Sequence, residues 1–297
     1  MIVSVPATSA NLGPGFDALG LALALRNSFI VEEAACDEIL GCETEYCGSD
    51  NLFLASARKA ALAVGKRLPP LRVRFDSPVP VARGLGSSAT LIIGGILAAK
   101  RLLGSPASEA LDEQGILDLA ASIEGHPDNT TPAMLGGFAV AVSEDGRIVS
   151  IRRPLGGSIS FSALVPPFPL ETSIARAALP KSVSFADAAG NAGRAALVTA
   201  AFLTGDWEKL GAAMHDRLHE PWRAPLIPGF EEMRRGARDA GALAVWLSGA
   251  GPTVIAVSRR GDLAFASRMD ALCAAAKPQA WRHLLLAADD IGAAVSD

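Results

Sequence analysis

The sequence predicts an α+β protein built as two lobes. Three observations carry that expectation. Strand-like and helix-like segments are mixed in both halves of the 297-residue chain. A Gly/Pro-rich patch, residues 154–169, separates the halves. The longest apolar runs, residues 18–25 and 91–99, fall far short of the ~20 residues a membrane span needs. The expected division is therefore residues 1–155, an N-terminal lobe that binds nucleotide, and residues 156–297, a C-terminal lobe, with the substrate site between them.

The elements follow from periodicity and punctuation. Residues 2–6 and 19–31 are strand-like runs separated by the turn Asn11-Leu12-Gly13-Pro14-Gly15. Residues 51–64 have helical spacing, and residues 71–75 alternate apolar and basic side chains as a half-buried strand does. Residues 87–103 are apolar almost all round, which predicts a buried helix. A helix at 116–124 ends in Gly125-His126-Pro127-Asp128-Asn129, and a hairpin, 137–142 with 148–151, turns at Glu144-Asp145-Gly146. The second half offers strands at 160–165, 243–247 and 254–257, with helices near 186–203, 207–218 and 230–240.

Composition removes several classes of function. Half the residues are hydrophobic and 20% are charged, so the chain is expected to fold. A net charge of -4 without a basic stripe argues against nucleic acid and anionic membrane as partners. The start, Met1 to Pro6, has no basic region followed by an apolar one, so no secretory leader is expected. Cys36, Cys42, Cys47 and Cys273 match no metal or redox spacing and predict reduced thiols in a cytoplasmic protein.

The chemistry begins at Pro80-Val81-Ala82-Arg83-Gly84-Leu85-Gly86-Ser87-Ser88-Ala89-Thr90. Two glycines allow a sharp turn and a close backbone approach, and a serine opens the helix, whose first amides lack intrahelical partners. The dipole is positive at that end, so phosphate fits there. A Walker A loop is excluded because no lysine follows the second glycine. Gly84-x-Gly86-x-x-Ala89 matches the loose dinucleotide fingerprint, but an eight-residue stretch with two prolines separates it from the preceding strand. The acidic residue due about 20 positions on falls near Glu109 in a Ser/Pro/Ala loop. A plain helix entry with a serine cap explains one serine and not the rest.

This loop resembles the nucleotide loop of the GHMP kinases, which phosphorylate galactose, homoserine, mevalonate and phosphomevalonate. Residues 6–17, P-A-T-S-A-N-L-G-P-G-F-D, resemble the superfamily's first motif, and residues 247–253, L-S-G-A-G-P-T, its third. The three stand in the right order. The resemblance implies the two-lobed GHMP kinase fold: a ribosomal S5-like N-terminal lobe, a ferredoxin-like C-terminal lobe, and ATP in the cleft on residues 80–90. It also implies Mg²⁺ held by Ser88 and Glu124, Thr172 near the transferring phosphoryl group, and Asn51-Leu52 near the base. Hard oxygen ligands of this kind suit Mg²⁺.

Within the superfamily the homoserine kinase branch is the most similar. S-A-N-L-G-P-G-F-D, E-G-H-P-D-N at 124–129, E-T-S-I-A-R at 171–176 and D-R-L-H-E-P-W-R at 216–223 all resemble its segments. Thr130-Thr131, where that branch usually has Val-Ala, departs from it. The residue types support an amino-acid acceptor. Arg176 and Arg223 suit a carboxylate, since a guanidinium fork makes paired hydrogen bonds to it. Asp17 and Asp128 could receive an ammonium, and Asn11, His126 and Asn129 offer polar edges. Asp128, Thr172 and Ser88 are the expected catalytic set, with no indispensable base marked out. Phosphoryl transfer can proceed by alignment and charge neutralisation alone. Partners are then small molecules, ATP and homoserine, with a homodimer left open. Two rivals stand beside this reading: a kinase for another polar alcohol of the mevalonate or shikimate class, and a catalytically silent sensor on the same fold. His215-Asp216-x-x-His219 could hold zinc only as a partial match, lacking the usual glutamate and a third ligand.

Overall fold

The computed structural model describes residues 1–48, 50–104 and 109–297. Most of the Ser/Pro/Ala stretch before Glu109 lies outside the described residues. Strand β1 (Ile2–Ala10) pairs antiparallel with the long β2 (Leu19–Glu33), from Ile2 opposite Ile30 to Ala10 opposite Gly20. The register shifts between Pro6 and Ala7, where the proline has no N–H to give the ladder. β3 (Glu38–Leu40) runs parallel to β4 (Leu71–Asp76), which pairs with the far half of β2. In β4 the expected alternation holds: Leu71, Val73 and Phe75 are buried while Arg72, Arg74 and Asp76 are exposed. The hairpin β5 (Phe138–Glu144) and β6 (Arg147–Arg153) joins the near half of β2.

The helices α1 (Leu52–Ala63) and α2 (Ser87–Leu103) lie on this sheet, around Phe29, Phe53 and Phe75, whose ring centroids are 4.9 to 6.0 Å apart. α3 (Glu113–Glu124) follows, then α4 (Pro127–Leu135). The sequence marks the start of α4 only as turn punctuation. Proline is well suited to the first turn, where its missing N–H has no partner to lose, so Pro127 opens the helix. Thr131 within it is buried, and its hydroxyl has no hydrogen-bond partner among the described residues.

The second sheet has the order β10-β7-β9-β8 and is antiparallel throughout, with β7 (Ile159–Val165), β8 (Ala244–Leu247), β9 (Val254–Arg259) and β10 (Arg282–Leu286). Around it stand α5 (Thr172–Ala177), α6 (Phe185–Thr204), the short turns α7 (Leu210–Ala213) and α8 (Glu220–Arg223), α9 (Phe230–Asp239) and α10 (Leu263–Ala275). The helix expected over 207–218 stops at Ala213. The Asp216 carboxylate takes the N–H groups of Leu218, His219 and Glu220 at 2.7 to 3.1 Å, which starts a new turn instead of extending the old one. Past residue 257 the sequence reading named nothing. The structure adds α10, β10 and a last strand β11 (Ala294–Ser296), which returns to the first sheet beside β1. The boundary drawn at 155/156 falls in the connection from β6 to β7. Among the described residues no helix is long and apolar enough to cross a membrane, and all four cysteines are free.

Candidate active site

The three glycine-bearing segments meet between the sheets. Ser87 is the first residue of α2 and Gly86 its N-cap, with a left-handed φ of +67°. A β-carbon on Gly86 would overlap the Thr8 hydroxyl, and one on Gly84 would lie 2.7 Å from the Gly251 carbonyl oxygen. The sequence assigned these glycines to close approach of a ligand; they also let three protein segments close on one another. Hydrogen bonds fix the closure. Thr8 N–H donates to Leu85 O at 3.1 Å, Ser248 Oγ to Gly84 O at 2.6 Å, and Gly249 N–H to Ala10 O at 3.1 Å. Asn11 is committed to the same seam: its Nδ2 donates to Gly249 O at 2.9 Å and its Oδ1 accepts from Asp17 N–H at 2.9 Å.

Beside the start of α2, Ser88 Oγ donates to Glu124 Oε1 at 2.6 Å. Burial pushes the Glu124 carboxyl above its ordinary range, against the lowering effect of the Ser88 bond. Two residues on, His126 Nδ1 stands 2.5 Å from Asp128 Oδ1. Burial alone would lower His126, but the bond to Asp128 and the charges of Asp128 and Glu124 outweigh it and raise it. Asn129 Oδ1 accepts from the Thr8 hydroxyl at 2.7 Å. Ligand atoms of Asp17, His126 and Asp128 all lie within 4.8 Å of one another, which places two carboxylates and an imidazole at one corner.

Two arginines border that corner. Arg176 grips Asp17 with both terminal nitrogens, at 2.8 and 3.2 Å. Arg223 is buried and spends Nη1 on Gly249 O at 3.0 Å and His219 Nδ1 at 3.2 Å, with Nε toward Ala175 O at 3.4 Å. Its Nη2 has no partner among the described residues. Burial, with the nearby Arg176 charge, brings Arg223 down to about 10. Arg223 therefore remains a cation at neutral pH.

A cavity of about 450 Å³ connects these groups. It is lined by Asn11, Asp17, Asn51, Val81, Ala82, Arg83, Gly84, Gly86, Ser87, Ser88, Glu124, His126, Asp128, Asn129, Thr172, Arg176 and Arg223. Four expected loop residues are not brought to it. Leu85 and Ala89 are buried in the core, and Pro80 does not reach the lining. Thr90 Oγ1 is engaged by Asn27 Nδ2 at 2.8 Å and donates to Ser87 O at 2.7 Å. Asn51 is spent as a cap: it accepts from Phe53 N–H at 2.9 Å and donates to Tyr46 O at 2.8 Å. Through Tyr46 it shapes the far end of the cavity, where Cys42, Glu45, Phe75 and Ser77 also stand. Apart from Asn51-Leu52, which the resemblance placed near the base, no sequence signal points to that end, because the irregular loop before α1 has no periodicity. The zinc geometry fails as well. Residues 215–219 are not helical, and both nitrogens of His219 are occupied, Nε2 by Gly13 O at 2.8 Å and Nδ1 by Arg223.

A cleft between two α+β lobes, with a glycine loop at a helix start facing a mixed acid and arginine corner, defines a small-molecule kinase. Two family profiles match, GHMP kinases N terminal domain over residues 51–137 and GHMP kinases C terminal over residues 198–272. A homoserine kinase of Clostridium botulinum (strain Langeland) is 38% identical over 296 residues, 99% of this chain and 98% of that one. One of Moorella thermoacetica is 43% identical over 262 residues, 87% of each. The crystal structure of homoserine kinase from Cytophaga hutchinsonii superposes with a TM-score of 0.84 at 26% identity, over 99% of this chain and 96% of that one. Methanococcus jannaschii mevalonate kinase shares the fold, with a TM-score of 0.69 at 14% identity, over 97% of this chain and 98% of that one. The chain belongs to the homoserine kinase family of the GHMP kinases.

Proposed function

We propose that the chain transfers the γ-phosphoryl group of ATP to the side-chain hydroxyl of L-homoserine, giving O-phospho-L-homoserine and ADP, as a cytoplasmic step toward threonine. The observation that carries this reading is the pairing of opposite charges in one corner. Asp17, His126 and Asp128 concentrate their ligand atoms within 4.8 Å, and Arg176 and Arg223 line the same cavity. An amino acid presents both complements at once, an ammonium and a carboxylate. A sugar presents neither, and a hydroxy acid such as mevalonate or shikimate presents only the second.

Asp17 and Asp128 take the ammonium, while the unpartnered Nη2 of Arg223 and the fork of Arg176 take the carboxylate. Arg176 releases Asp17 as the zwitterion enters between them. Asn11, His126 and Asn129 complete the polar wall. The phosphates lie along residues 81–84 and 86–88, where the amides at the start of α2 and its positive dipole favour them. Ser88 and Glu124 fit a Mg²⁺ ion: two hard oxygens stand together, and among the described residues the buried Glu124 carboxyl has a hydrogen bond from Ser88 and no ion pair. When bound, that ion neutralises phosphate charge and aligns the triphosphate. Asp128 orients the acceptor hydroxyl and receives its proton as that oxygen bonds to the γ-phosphorus and the bond from it to the ADP oxygen breaks, and Thr172, at the start of α5, faces the group in transit. The rest of the acceleration is alignment in a closed site.

A coupled ADP-release assay with L-homoserine, mevalonate, shikimate and buffer tests the reading. L-Homoserine should give ADP release well above buffer, and above both hydroxy acids. Release no greater than buffer, with mevalonate or shikimate active, sinks the acceptor assignment.

A further inference from the structure

Phe16 stands between Gly15 and Asp17 in the turn that follows β1, and the chemistry described so far gives it no task. Its ring stacks on the imidazole of His219, with centroids 5.4 Å apart and planes 26° from parallel. The guanidinium carbons of Arg223 and Arg176 lie 5.3 and 5.7 Å from the same ring centroid. Two like charges thus share one aromatic ring, although each disfavours the other; Arg176 is among the causes that lower Arg223. The electron-rich face of a ring attracts a cation, by about two-fold in an equilibrium at an exposed site and about thirty-fold when desolvated.

The stack itself is held in one orientation. Burial lowers His219, so the ring is neutral. Its Nε2 then donates to Gly13 O at 2.8 Å, and its Nδ1 accepts from Arg223 Nη1 at 3.2 Å. Gly13 and Phe16 belong to the same turn, so His219 ties that turn to Arg223 by hydrogen bonds and by stacking together.

We propose that Phe16 is a positioning residue: its ring is the platform that holds Arg176 and Arg223 side by side as a clamp for the acceptor's carboxylate. The proposal rests on the amino-acid acceptor reading. An aliphatic side chain would fill much of the same space without attracting the guanidiniums, whereas tyrosine keeps the ring face.

The test compares wild type, Phe16→Leu and Phe16→Tyr. Phe16→Leu should raise the KM for L-homoserine about ten-fold, with kcat and the KM for ATP within about two-fold. Phe16→Tyr should stay within about two-fold of wild type. A second readout needs no substrate: phenylglyoxal modification of the ligand-free protein, mapped by peptide mass spectrometry. Arg176 should react about three-fold faster or more in Phe16→Leu, and at the wild-type rate in Phe16→Tyr. An unchanged homoserine KM in Phe16→Leu overturns the proposal, as does equal impairment of both variants or an equal loss on the ATP side. If wild type itself releases no ADP with homoserine, the acceptor reading fails, and the modification rates still decide the role of Phe16. Equal rates in wild type and Phe16→Leu overturn it.

Discussion

Replacing Gly84 by alanine separates two reasons for a glycine at one position. Gly84 has a φ of +73°, and a β-carbon there would lie 2.7 Å from Gly251 O and nearer still to Ser248 O. Real β-carbons essentially never come within 3.0 Å of another heavy atom, so the phosphate loop and the third glycine segment would have to part by a few tenths of an ångström or more. Both obstacles are backbone, which cannot swing aside. Overpacking of this kind costs about 1–3 kcal/mol, and the left-handed conformation adds about 1–2 kcal/mol for a residue with a β-carbon. Gly65 is the control. It has a φ of +68° and no atom within 4 Å of its β-carbon position, so Gly65→Ala carries the conformational cost alone. Urea denaturation should therefore show Gly84→Ala less stable than Gly65→Ala by about 1–3 kcal/mol. Because Ser248 Oγ holds Gly84 O and Thr253 N–H holds Arg83 O, the parting also displaces the loop. The KM for ATP should rise about ten-fold or more in Gly84→Ala and stay at the wild-type value in Gly65→Ala. Equal stability of the two variants, with equal KM for ATP, would refute the contact argument.

Two further outcomes follow from the burial of charged groups. Arg176→Ala and Arg223→Ala should each raise the KM for homoserine by about 10- to 150-fold, the value of a charged hydrogen-bonded contact. Only Arg223→Ala should also lose about 2–4 kcal/mol of stability in urea, because Arg223 is buried against Gly249 O and Ala175 O while Arg176 is partly exposed; equal stability losses would contradict that division. Glu220 is buried, accepts from Leu247 N–H at 2.7 Å, and is pushed by burial from 4.5 up to about 7. A raised carboxyl favours the folded state while protonated, so stability is lost as pH rises from 4.5 through 7, by about 3 kcal/mol at most. Glu220→Gln keeps an acceptor for Leu247 and removes the titration. The stability of wild type relative to Glu220→Gln should fall between pH 5 and pH 8, and a pH-independent difference would show that Glu220 does not titrate there.

Much of the fold and part of the site could be read in the chain itself, for physical reasons that differ by element. β4 alternates Leu71-Arg72-Val73-Arg74-Phe75 because one face meets a core and the other meets water, so its pattern is local. The loop Gly84 to Ser88 was legible because phosphate sites depend on backbone freedom and helix ends, and both leave marks in sequence. The helical spacing over 207–218 does not carry past Ala213 because Asp216 acts through hydrogen bonds to its own neighbours, which compete with helix and have no period. Leu85, Ala89 and Thr90 sit in the right motif and are buried; for Ala89 and Thr90 the distinction is made by the helix's rotation about its axis, and for Leu85 by the path of the loop before it, not by the motif. The cavity wall at Cys42, Glu45 and Tyr46 was invisible since an irregular loop forms it, tied by bonds such as Asn51 Nδ2 to Tyr46 O that leave no periodic mark in the sequence. Arg176 was expected to await a carboxylate; the structure pairs it with Asp17, a contact 159 residues apart in sequence that no local pattern encodes.

The return of the chain to its first sheet has a mechanical consequence. The backbone crosses between the sheets once from Arg153 to Ile159 and again after Leu286, where Ala288 bridges Leu23 and Asp289 pairs with Arg26. Two crossings fix the relative placement of the sheets more closely than one would, and the hydrophobic cluster that Leu21, Leu23 and Phe138 of the first sheet share with Phe161, Trp246 and Ile255 of the second lies between them. The same return lays Ser296 opposite Ile2, so residues 2 and 296 stand side by side on neighbouring strands, with β11 rather than β1 forming the edge of the sheet.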